Sequence, residues 1–337
     1  MNKLALILLI ILFIISPLTA INIGVANVSI IDAITNFFMQ TSMQDDAKLG
    51  YRIIFELRLP RVLLALLTGS GLALAGLVLQ TVTRNPLADP YLFGISSGAT
   101  LGAVLVITAS SILGAMAPFL VSFGIQLGAF LGSLLAVFIV LSLAGRSVQI
   151  ERLILAGVAT SFMFGAATSL VLYSSDPQAA ASLLFWTLGS FTRADWSSLL
   201  PILLILMLTA ALFIGFSRQL NVLLSGDENA RALGVRVGQL RLIMLLLTSL
   251  LTAILVANTG GIGFVGLMIP HIARRLYYRH SRHIMWITLL LGGVFMVWVD
   301  VVARVLVSGH ELPIGIITAA IGSVFFLLVM RRPRWSE

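Results

Sequence analysis

Apolar runs long enough to cross a bilayer recur from one end of this chain to the other. They number about ten, near residues 4 to 23, 59 to 82, 94 to 112, 119 to 144, 151 to 173, 196 to 216, 239 to 258, 262 to 279, 284 to 307 and 312 to 330. A helix of about 20 apolar residues matches the ~30 Å hydrocarbon core of a membrane. In lipid, backbone N–H and C=O groups must be satisfied within the segment, so runs of this length read as helices. The expected fold class is all-α, a polytopic membrane protein of about ten transmembrane helices. With 59% hydrophobic and 10% charged residues, a single soluble core cannot bury the apolar surface, and membrane lipid must cover it. The first run follows Met1-Asn-Lys3 and ends near Ser16-Pro17, which mimics a secretory signal. Because hydrophobicity resumes at Ile21 and the rest is polytopic, a retained first span is expected.

The formal charge of +8 would suggest nucleic acid in a soluble chain. Here the basic residues gather at span ends, so no nucleic-acid partner is expected. Alternating the loops places fifteen of the 21 Lys and Arg residues on one side, among them Lys3, Arg84, Arg146, Arg231, Arg241, Arg279, Arg332 and Arg334. The positive-inside rule makes that side the cytoplasm and puts both termini there. Lys48, Arg52, Arg58, Arg61, Arg193 and Arg304 break the pattern on the outer side. Arg304 follows Asp300 by one helical turn, so these two can pair along one helix face. As a group the exceptions could instead present positive charge to an acidic external partner.

One polar segment, 225 to 237, interrupts the membrane pattern on the inner side and reads as a short surface helix. Ser225 and Glu228 stand at capping-box spacing, Asp227 and Glu228 complement the positive end of the helix dipole, and Gly234 supplies the stop. It is either a solvated loop helix or a handle for a soluble partner.

Several enzyme-like patterns fail on context. Gly261-Ile-Gly263-Phe-Val-Gly266 joins apolar helices and follows no strand; Gly94-Ile-Ser96-Ser-Gly98 opens a span with no triad partners; His310-Glu311 has Ile314 where a second metal-binding histidine belongs. The lysines, Lys3 and Lys48, sit in no Gly-Lys-Ser/Thr motif, so ATP is not bound by a P-loop in this chain. With no cysteine there are no thiolate metal sites and no thiol catalysis, and neither a catalytic residue nor a bound metal is expected.

Six ordered motifs carry a family resemblance: Arg58-Leu-Pro-Arg61; Gln80 followed by Thr-Val-Thr-Arg-Asn85-Pro86-Leu-Ala-Asp89-Pro90; Gly94 to Gly98; Gly226 to Gly234; Gly263-Phe-Val-Gly266-Leu-Met-Ile-Pro270-His271; and Glu311-Leu-Pro-Ile-Gly315. Over nearly the whole chain the sequence resembles the FecCD type of permease, the membrane subunits of type II ABC importers for vitamin B12, haem, iron siderophores and metal oxyanions. It looks most like the branch that handles molybdate or tungstate, while the chelate importers share the same motifs.

The resemblance implies a single transmembrane permease domain over 1–337, with 225–237 as the cytoplasmic coupling segment within it. It further implies a homodimer in a bacterial inner membrane, two cytoplasmic ATPase subunits that hold ATP and magnesium, and a periplasmic substrate-binding protein. This chain itself would hold no cofactor. Gly226, Asp227, Glu228, Asn229, Ala230, Arg231, Ala232, Leu233 and Gly234 match the segment that seats in the ATPase. Arg58, Arg61 and Arg304 match positions that meet acidic residues of the binding protein.

The fifth span carries Gly157, Ser161, Gly165, Thr168 and Ser169, small or mildly polar residues that either pack helices closely or line a path. The resemblance places paired fifth spans at the dimer axis, and Gln80 and Asn85 near a gate; the Asn85 to Pro90 turn either supports that gate or reverses the chain. An ion-coupled secondary transporter is the alternative. It would use an ionisable group near the bilayer midplane, for which Asp300 is the candidate.

Overall fold

The computed structural model describes residues 3–24, 28, 49–112, 118–145, 150–277, 282–307 and 310–331. Lys48, Arg146, Arg279, Arg332 and Arg334 of the topology argument lie outside the described residues. Among those described, the helices are α1 (Lys3–Asn22), α2 (Leu59–Thr83), α3 (Ile95–Ile112), α4 (Pro118–Ala144), α5 (Ile150–Tyr173), α6 (Pro177–Thr187), α7 (Trp196–Gly215), α8 (Ser217–Leu223), α9 (Asp227–Ala232), α10 (Val237–Thr259), α11 (Val265–Leu276), α12 (Arg282–Val305) and α13 (Ile314–Met330). Seven of them, α1, α2, α4, α5, α7, α10 and α12, are long and apolar enough to cross a membrane. Helices α3 and α13 are shorter apolar segments.

Helix α2 is the centre of the bundle. A π-helical turn, Arg52–Arg58, leads directly into it, and nearly every residue from Pro60 to Thr83 is buried. Close approach is possible because Gly69 lies against the backbone of Gly292 in α12, and Gly76 against that of Gly266 in α11. A methyl group at either position would overlap the facing carbonyl. Without a hydrophobic force between helices in lipid, such backbone seams supply packing that larger side chains would prevent. Helix α1 packs along α12, where Trp298 Nε1 donates to Ser16 Oγ at 3.1 Å.

The expected eighth span, 262 to 279, is not a continuous helix. Gly260 adopts φ 72°, residues 260 to 263 run without helix, and α11 has only 12 residues. At 1.5 Å per residue it reaches ~18 Å, about half of a bilayer core. The opened backbone is partly satisfied by Tyr91, whose hydroxyl accepts from Ile262 N at 3.0 Å. Such non-helical backbone is tolerated at membrane depth where protein surrounds it. Helices α6 and α8 were not expected. For α6 the signal was present: Asp176 is the N-cap, accepting from Gln178 N, and Pro177 occupies the first turn.

Candidate functional site

Two polar clusters mark opposite ends of α2. At its C-terminal end, Arg84 takes a left-handed conformation, φ 49°, and closes the helix. Its Nη2 lies 3.0 Å from Asp227 Oδ1, and Arg241 Nη2 in the first turns of α10 reaches the same oxygen at 3.1 Å. Asp227 thus ties α9 to α2 and α10.

The expected surface helix at 225–237 is present but shorter, Asp227–Ala232, and its capping differs. Ser225 Oγ donates backwards to Val222 O at 2.7 Å, and Gly226, at φ 108°, takes the N-cap position with no side-chain cap bond. The capping box read from Ser225 and Glu228 does not form, because the chain turns sharply out of α8 one residue later than the box requires. The stop at Gly234 does form. With φ 81° there, Val235 N bonds Ala230 O and Gly234 N bonds Arg231 O, the paired 6→1 and 5→2 bonds of a Schellman closure. Ala230 is buried beneath the segment. Glu228, Asn229, Arg231, Ala232 and Leu233 are exposed, and Leu233 is 70% accessible although it is apolar and lies at the polar end of the bundle.

At the opposite end of α2, the three arginines expected to face outward are buried. Arg61 Nε donates to Asp300 Oδ1 at 2.8 Å, and its Nη1 reaches the Glu311 carboxylate at 2.8–2.9 Å. Arg304 Nη2 lies 3.2 Å from Asp300 Oδ2, an ion pair without hydrogen-bond alignment, so the pairing expected along α12 is present. Arg304 also donates to Ile23 O and Ala20 O, and Arg58 to Ile21 O. The last carbonyls of α1, orphaned at a helix C-terminus, are therefore held by two guanidiniums.

The expectation that Arg58, Arg61 and Arg304 present free positive charge is corrected: their heads point into a network joining α1, α2, α12 and the segment before α13. Glu311, not singled out as a site residue in the sequence, is its partly exposed member. Asp300, 0% exposed, is held by two arginines, which argues against the solvent-reached acid that an ion-coupled carrier would use. Beside the network lies a small pocket of about 190 Å³, lined in part by Trp186, Arg193, Asn258 and Glu311.

The gate candidates divide. Gly157 packs against the backbone of Leu92, and Thr168 is buried, its hydroxyl without a partner among the described residues. Ser161 and Ser169 bond back to Gly157 O and Gly165 O within α5. The open stripe of α5 instead runs through Leu155, Phe162, Leu170 and Tyr173, the last 91% exposed. Gly157 is closely packed and Thr168 is buried, while Ser161, Gly165 and Ser169 stay partly or fully accessible.

Gln80 bridges α2 and α11, donating to Gly266 O at 3.0 Å and accepting from Arg274. Asn85 Oδ1 accepts from Leu87 N at 2.9 Å, so this residue shapes the turn between α2 and α3. Asp89, buried in the same turn, accepts from Tyr91 N at 2.8 Å, and burial pushes its carboxyl up to about 6.

A bundle of this kind, with a broken eighth segment and a short polar helix between α7 and α10, defines an all-α polytopic membrane protein. The FecCD transport family model matches residues 8–332, and the chain belongs to that family. It is 37% identical to the hemin transport system permease protein HmuU of Yersinia pestis over 326 residues, 96% of this chain and 95% of that protein. It is 38% identical to the molybdate import system permease protein MolB of Haemophilus influenzae over 276 residues, 82% and 80% of the two chains. A solved structure of a metal-chelate type ABC transporter in an inward-facing conformation superposes with a TM-score of 0.83 at 34% identity, covering 97% of this chain and 99% of that one. The fold is that of a type II ABC importer permease.

Proposed function

We propose that this chain is the membrane subunit of a binding-protein-dependent importer for a metal chelate or metal oxyanion, working as a homodimer driven by two ATPase subunits. The observation that carries the reading is α9. It is a helix closed at its C-terminus, anchored through Asp227 to both α2 and α10, with the exposed apolar Leu233 beside polar Glu228, Asn229 and Arg231. A soluble ATPase docking there would cover Leu233 and push on two spans through one carboxylate. The α9 end is then cytoplasmic, in an inner membrane, and the network around Asp300 faces the binding protein. With the three arginines buried, docking at that face falls to exposed groups such as Arg193 and Glu311. The exposed stripe of α5 faces the second copy across the translocation path.

Cargo is proposed only to the class, since the haem and molybdate relatives are 37% and 38% identical to this chain. Ligand binding by the cognate periplasmic protein, comparing molybdate, haem and ferric siderophores, decides within the class.

The test of the mechanism is Ala232→Pro in proteoliposomes with the ATPase and binding protein. Ala232 ends α9, and proline there removes its N–H and disfavours helical backbone at Arg231 before it, a penalty of up to about 3 kcal/mol. Uptake is expected to fall at least tenfold while the chain still inserts. Uptake at the parental rate, or uphill uptake with no ATPase present, overturns the proposal.

A further inference from the structure

A second concavity, lined by none of the residues of the two polar clusters, lies on the apolar outer face of the bundle. It is a groove of about 940 Å³ between α7 on one wall and α1 and α12 on the other, with α2 as its floor. Leu203 and Met207 on α7, Phe13 on α1, Leu67 on α2 and Leu289 on α12 make it almost wholly apolar.

The groove follows the full length of α7, whose 20 residues span ~30 Å, the thickness of the hydrocarbon core. Its ends carry interfacial chemistry. Trp196 stands at one end, half-exposed, its indole N–H donating to Phe55 O at 3.0 Å. Trp286, also half-exposed, stands toward the other end, one helical turn after Arg282. Tryptophan at both ends is the pattern of a surface that traverses a membrane. Arg282 lines the groove at the α9 end of the bundle, is exposed, and has no side-chain partner among the described residues.

We propose that this groove is a binding site for an anionic phospholipid of the leaflet at the α9 end, with its phosphate on Arg282 and its acyl chains along α7. The charge selects the occupant. An apolar helix of a partner would fill the groove but leave the guanidinium uncompensated at the interface, whereas a lipid phosphate supplies the opposite charge at the depth where Arg282 sits.

The experiment uses the full chain purified from membranes in mild detergent. Native mass spectrometry reads retention after exchange into equimolar phosphatidylglycerol and phosphatidylcholine. Phosphatidylglycerol is expected to be kept about fivefold over phosphatidylcholine, the equivalent of about 1 kcal/mol for one basic residue at a lipid surface. Arg282→Gln should bring the ratio to about one, while Arg236→Gln, an exposed arginine beside α9 and outside the groove lining, should leave it unchanged. Ala211→Trp, which fills the groove, should lose both lipids; if that variant fails to fold, the arginine pair alone decides.

Equal retention in the parent, equal loss in both arginine variants, or full retention by a folded Ala211→Trp overturns the proposal. So does efficient cross-linking between copies of Ala211→Cys in this otherwise cysteine-free chain, which would put protein in the groove.

Discussion

Replacing Asp300 with Asn tests whether the buried arginines around it hold the fold together or wait for a partner. Asp300 is fully buried and shared by Arg61 and Arg304, so the change leaves two buried guanidiniums short of one counter-charge. Breaking a buried pair from one side costs about 3–5 kcal/mol. Arg61 keeps Glu311 and Arg304 keeps two carbonyls, which places the expected loss near the lower figure. At about 2.1 cal/mol/K per residue, unfolding 337 residues carries an entropy of about 0.7 kcal/mol/K, so a loss of about 3 kcal/mol lowers Tm by about 4 °C.

The assay is intrinsic-fluorescence melting of the purified chain in detergent. Arg61→Met combined with Asp300→Asn should lose less than the sum of the two single changes, because the double variant removes both members of one pair. A Tm within about 1 °C of the parent for Asp300→Asn refutes the structural assignment. So does a variant of Arg61 that abolishes binding-protein docking without lowering Tm, which would restore the surface role first read from the sequence.

Gly76→Ala should cost more than an ordinary glycine replacement, because its methyl overlaps the Gly266 carbonyl; we expect loss of folded protein in membranes, read by detergent-stable yield on size-exclusion chromatography, whereas Gly238→Ala, with open space around it, should fold normally. Asp89→Asn keeps an acceptor for Tyr91 N and removes the titrating proton. With the folded carboxyl at about 6 against 3.8 when free, the folded state binds that proton more tightly. This contribution is full below pH 3.8 and is lost as pH rises through 6. Asp89→Asn should therefore raise Tm at pH 8 and leave it near the parent at pH 4, as melting curves at the two values will record.

The spans were legible because apolar length is a one-dimensional property, and the stop of α9 was legible because Gly234 can take a backbone that other residues avoid. The partners of the arginines were not. Arg61 and Asp300 are 239 positions apart, and Arg61 and Glu311 are 250 apart, so a charge that looks displaced in sequence is neutralised by residues that only the folded bundle brings near. The same blindness made 262 to 279 read as a span: its apolar residues are continuous, but the backbone of Gly260 to Gly263 leaves the helix and finds Tyr91 from a distant turn. Of the residues read as gate or path, Gly157 and Gln80 make their contacts across helices rather than along one.

The glycine seams of α2 have a mechanical consequence. Side chains at an interface act as springs that can change rotamer under load, whereas backbone pressed on backbone has nothing soft to yield. Helices α2, α11 and α12 must then travel as one stiff strut, with an ionic joint at each tip. On the proposed mechanism, a displacement imposed at Asp227 would travel along α2 toward Arg61, and flexing would fall to the spans around it.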